Sequence, residues 1–209
     1  MPVAVTSLLA PTVRAMSFGS LVTGVAAGSA MVALSVSPIV NDPRLGVLIA
    51  MILTGSAAAF AHDDTAAATL APSPTALPRR HGFRLLIAAM VVSIGWGIDL
   101  IMLRPTNGGG RLATDGTVAV AAIAASAVAA AMIAAGRGAH TRGGAEGATA
   151  AAVMVIVFEM LAMRWSDVVP SISNGQSAGR GWLVVFAAAG AVIVWYSRDP
   201  ARATRASRR

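Results

Sequence analysis

The chain has 209 residues, of which 56% are hydrophobic and 12% charged, with a mean hydropathy of +0.71. Soluble domains carry about 25% charged residues, so water cannot cover this exterior and lipid must face much of it. All 16 basic residues are arginine and cysteine is absent, which excludes a P-loop ATPase, a Schiff-base lysine, disulfides and thiolate metal sites. The net charge of +7 does not point to nucleic acid, because the arginines sit at the ends of apolar runs and in the C-terminal tail, where anionic headgroups are the nearer partner. Arginine-only basicity with abundant Ala, Gly and Val suggests a GC-rich, bacterial coding sequence.

From the N-terminus, residues 1–13 carry no positive charge and Arg14 follows the apolar stretch, so the start does not read as a signal peptide. Residues 1–15 are expected to be an interfacial lead-in, either a short surface helix over 3–14 or a frayed entry to the first span. Six apolar runs follow, at 16–40, 45–62, 84–103, 116–136, 146–163 and 182–197. Each is near the ~20 residues that cross a hydrocarbon core. The sequence thus predicts an all-α membrane protein, a bundle of about six transmembrane helices forming one domain over 1–209. Gly24 and Gly28 make a G-x-x-x-G pair in the first run, and Ala121, Ala125 and Ala129 repeat at four-residue spacing in the fourth. Small residues at that spacing let helix backbones approach closely in lipid.

Arginine placement sets the expected orientation. One side holds Arg14, Arg79, Arg80, Arg84, Arg137, Arg142, Arg198, Arg202, Arg205, Arg208 and Arg209, and the other holds Arg44, Arg104, Arg111, Arg164 and Arg180. The richer side is expected to be cytoplasmic, with both termini on it.

Between the second and third runs, residues 63–83 are expected to form a cytoplasmic loop. Asp63 or Asp64 can cap a short helix through Thr65, Thr69 and Leu70 to residue 71, which Pro72 and Pro74 would end. Such a helix could dock on a partner; a Pro-rich linker is the plainer reading. His62 beside the two acids is a poor metal signal, since no H-E-x-x-H or second acidic cluster completes it, and no cofactor or metal is expected.

Two acids fall inside apolar runs, Asp99 in the third and Glu159 in the fifth. A carboxylate in lipid costs several kcal/mol, so such residues face the bundle or a wet cavity. At 1.5 Å per residue both lie roughly 20 Å from the inner end of their spans. Arg104 and Arg164 each follow five positions later, about 140° around the helix, and are expected to snorkel outward. A cross-helix Asp99–Arg164 pair is geometrically possible. These four residues are the candidates for a transport path or gate, with an interfacial, structural role as the alternative. The loop 164–180 is long enough for a short amphipathic or re-entrant helix. The tail, with Arg198, Arg202, Arg205, Arg208 and Arg209, is expected to lie on anionic lipid.

The stretch Phe60-Ala61-His62-Asp63-Asp64-Thr65-Ala66-Ala67-Ala68-Thr69-Leu70-Ala71-Pro72-Ser73-Pro74, followed by Pro78-Arg79-Arg80, resembles a loop of small actinobacterial ABC transporter permease subunits of the type-2 exporter family. The resemblance covers about residues 60–84. It implies that six helices form half of a dimeric transmembrane domain, homodimeric or heterodimeric. It also implies that the loop after the second helix carries a coupling helix for a separate cytoplasmic ATPase subunit, and that a helical element lies between helices five and six. On that resemblance the chain is expected to be a non-enzymatic exporter permease in a bacterial cytoplasmic membrane. The alternatives are a proton-coupled carrier or channel using Asp99 and Glu159, and a non-transport scaffold or assembly subunit.

Overall fold

The computed structural model describes residues 17–37, 43–63, 77–104, 109–137, 143–164 and 178–197. Among these are six α-helices and no strand: α1 (Phe18–Ser35), α2 (Pro43–Ser56), α3 (Leu77–Leu103), α4 (Gly109–Arg137), α5 (Gly144–Ala162) and α6 (Ala178–Tyr196). A 3₁₀ segment, Ala57–His62, continues α2 directly. Five of these segments are long and apolar enough to cross a membrane, and a shorter apolar helix covers Arg180–Tyr196. The chain is a multi-pass, all-α membrane bundle.

The outer face supports this in detail. Met90, Ile94 and Ile101 of α3, Val153, Ile156 and Met160 of α5, and Val184 and Val194 of α6 are all exposed. Apolar surface on that scale does not persist in water, but it matches lipid chains. The interior uses smaller residues. Gly24 of α1 sits where an added Cβ would lie 2.8 Å from Ala57 Cβ, and Gly28 faces Thr54 and the Ala50 carbonyl. The G-x-x-x-G pair thus forms the seam between α1 and the second span, as small residues do when backbones pack closely in lipid.

These contacts also fix direction. Along α1, Gly24 meets Ala57, Gly28 meets Ala50 and Thr54, and Ser35 meets Gly46, so α1 and α2 are antiparallel. Val25 packs on Gly95 and Ser29 faces Asp99, so α1 and α3 run parallel. Gly116 meets Met51 and Gly55 meets Ile123, which makes α2 and α4 parallel. Gly143 meets Ala131 and Gly147 meets Ala127, so α4 and α5 are antiparallel, and from α1 to α5 the helices alternate in direction as successive crossings require. The two ends of the bundle can be named by their acids, the Asp63 end and the Asp99 end.

The second apolar run is short, yet it spans. Its α-helical part has 14 residues, about 21 Å, and its 3₁₀ part has 6 residues, about 12 Å at the steeper 3₁₀ rise. Together these match the ~30 Å hydrocarbon core. The tightening falls on a run of alanines in the bundle interior, where Ala57, Ala58, Ala59 and Ala61 are all buried.

Helices α2 and α4 are central, and α1, α3, α5 and α6 surround them. Helix α6 leans mainly on α4, and Trp182 meets Phe158 of α5 with ring centroids 5.9 Å apart. Helices α3, α4 and α6 start well before their apolar runs. Leu77 to Phe83, placed by sequence in the 63–83 loop, are helical. Pro78 lies in the first turn, where its missing N–H costs nothing. Helix α4 begins at Gly109 and α6 at Ala178.

Candidate functional site

Two polar sites stand out in the apolar bundle, one at each end. At the Asp63 end the second span finishes on His62 and Asp63, both buried. Helix α5 starts nearby with Gly143 in the N-cap position, and glycine has no side chain to satisfy the free N–H groups of a first turn. Asp63 supplies the acceptor from 81 residues away: Gly144 N–H donates to its Oδ1 at 2.7 Å. The carboxylate also lies at the positive end of the α5 dipole. A Cβ on Gly144 would stand 2.8 Å from both Asp63 Oδ2 and Phe60 Cδ1, so the junction needs glycine. One turn on, Gly147 lets α5 close onto the Ala127 carbonyl and Ala131 of α4. Arg84, near the start of α3, is buried at this end as well.

Asp63 caps α5; the segment through residue 71, for which Asp63 or Asp64 is the expected cap, lies outside the described residues. Local sequence suggests a cap for a segment running on to residue 71; the structure turns the side chain into the bundle, onto α5. Asp64, Thr65, Thr69 and Leu70 lie outside the described residues. So do the lead-in 1–15, most of the loop between α5 and α6, and the tail with Arg198, Arg202, Arg205, Arg208 and Arg209.

At the other end Asp99 is fully buried, at 0% exposure. Neither carboxylate oxygen has a hydrogen-bond partner. Ser29 of α1 faces the group without the geometry of a hydrogen bond. The Asp99–Arg164 pair that the sequence allows is not made. Arg104 and Arg164 are both exposed, as snorkelling side chains would be. Glu159 is half-buried on α5, which shares no extended contact with α3. The structure thus keeps the two intramembrane acids on separate helix pairs. Among the described residues no group of three or more His, Cys, Asp or Glu converges to hold a metal.

Between α3, α4 and α6 lies an apolar cleft of about 310 Å³, walled by Leu85, Val92 and Trp96 of α3, Thr117 and Val128 of α4 and Phe186 of α6. It exists because α3 and α4, though consecutive, make little contact. They are tied by Trp96 Nε1, which donates to Thr117 Oγ1 at 2.9 Å. Ala121 and Ala125, from the four-residue repeat, line the cleft; Ala129 is buried.

The sequence marks Asp63 and Asp99 but not what they face, Gly144 for the first and Ser29 for the second. Gly143-Gly144 with Gly147 was a visible run of small residues, and Ser29 was a polar residue next to a packing glycine, yet neither says what it touches. No family model matches the chain, and no curated protein and no solved structure matches it.

Proposed function

We infer that the chain is the membrane subunit of an ABC exporter in a bacterial cytoplasmic membrane, worked by a separate cytoplasmic ATPase and assembled as a dimer of permease subunits. The resemblance at residues 60–84 supports this, as does the absence of lysine, since ATP hydrolysis then belongs to another chain. The observation that carries the reading is the Asp63 junction. The segment with Asp64, Thr65, Thr69 and Leu70 starts from a residue whose side chain is clamped to the first turn of α5. The preceding 3₁₀ segment packs on α1, α3, α4 and α5. A push on that loop by an ATPase would reach several helices at once, which is what an energy-input element requires. Orientation with the Asp63 end in the cytoplasm, given by the arginine count, puts the loop on the side where ATP is.

The carrier reading has less support, because Asp99 and Glu159 do not converge. Co-expression with an ABC ATPase subunit, chosen from those encoded in the same genome, tests the proposal. The pair should co-purify in mild detergent, and ATP-dependent flux should appear in proteoliposomes. Leu70→Asp with Asp64→Arg should release the ATPase while the bundle stays folded. An ATPase that neither binds nor drives flux would overturn the reading.

A further inference from the structure

We propose that Asp99, facing Ser29, is a proton-binding site inside the bundle, occupied at neutral pH, and that loss of its proton is tied to separation of α1 from α3. The proposal does not depend on the exporter reading. It rests on a side chain with no exposure and no partner for either oxygen. As an anion such a group would be an uncompensated charge in a low-dielectric interior, costing several kcal/mol or more. As the neutral acid it needs no counter-charge, and the one hydroxyl that faces it is that of Ser29.

Among the described residues no charged side chain neutralises it. Helix α1 contains no titratable side chain at all. The charged side chain of α2 is Arg44, exposed near the start of that helix, and the 3₁₀ segment brings His62, at the opposite end of the bundle. On α4 the described side chains include one acid, Asp115, half-buried one position before Gly116. On α3 itself Arg84 lies at the Asp63 end and Arg104 is exposed beyond the last residue. None of these hydrogen-bonds to Asp99. A metal cation is a poorer occupant, because hard cations require about six or more oxygen ligands. The elements around Asp99 offer one facing hydroxyl, with Val25 and Gly95 packed a turn below and Leu103 buried a turn above.

The chemistry is simple and balanced: a carboxylate takes one proton from water and becomes a carboxylic acid, with no other reactant. Access is shortest from the Leu103 end, about 6 Å along the helix. Opening that end by parting α1 from α3 would admit water and allow the proton to leave. The charged form would then hold the helices apart, and reprotonation would let them close.

Infrared spectroscopy of the full chain in lipid bilayers tests this. Wild type at pH 7 should show the carbonyl stretch of a protonated carboxylic acid, shifted in D₂O and lost in Asp99→Asn. Ser29→Ala should keep the band but move its frequency, because the facing hydroxyl is gone. Three results overturn the proposal: no such band in wild type, a band that survives in Asp99→Asn, or a band indifferent to Ser29→Ala. A thermal transition raised by sodium in wild type and not in Asp99→Asn would also overturn it, by making the site a cation site.

Discussion

Asp63 shows how a residue can be legible as a cap and illegible in its target. Its type and its place at the end of an apolar run announce a helix-capping carboxylate. That the helix begins at Gly144 follows from the crossing of α2 and α5, which no local pattern reports. Asp99 is similar: its cost in an apolar run is obvious from sequence, but Ser29 lies 70 positions away. The Asp63 cap has a measurable consequence. Asp63→Ala should lower stability by about 1–3 kcal/mol, the range for losing a charge-assisted hydrogen bond and a helix cap. Asp63→Asn, which keeps an acceptor oxygen, should cost clearly less. Denaturation of both variants in detergent micelles checks the order, and equal losses would mean that the acceptor is not what matters.

At the scale of the helices, small residues decide which faces meet. The G-x-x-x-G pair of α1 was readable because close backbone approach in lipid demands such spacing, and its partner turned out to be the second span. Gly97, two positions from Gly95 on α3, has nothing within 4 Å of an added Cβ. Gly28→Ala drives a methyl group against Thr54 and the Ala50 carbonyl, 3.0 Å away, and should cost about 1–3 kcal/mol through overpacking. Gly97→Ala should instead be neutral or stabilise by up to about 1 kcal/mol through helix propensity. Thermal unfolding of the two variants side by side reads the sign of each change. The 3₁₀ stretch of the second span was not readable, because an alanine run carries no marker for the tighter coil. Its effect is to lengthen the segment by about 3 Å over a wholly α-helical course.

For the whole molecule, composition was enough to establish a membrane bundle, since 12% charged residues cannot cover a surface facing water. The alternating direction of α1 to α5 then matches five successive crossings. The sixth helix carries the remaining weight. It is 19 residues long, about 28 Å, with exposed Arg180 at one end and exposed Trp195 and Tyr196 at the other, the anchors expected at two interfaces. A sixth crossing by this helix is the expectation that would bring the chain back to the Asp63 side. The native chain has no cysteine, so single introduced cysteines report without background. The most direct test is labelling of intact cells with a membrane-impermeant thiol reagent, using Ser171→Cys between α5 and α6 and Ser207→Cys in the tail. Six crossings with the termini inside predict labelling at 171 only in intact cells, and at 207 only after permeabilisation. Labelling of both positions in intact cells would mean that α6 does not cross, and would contradict the account.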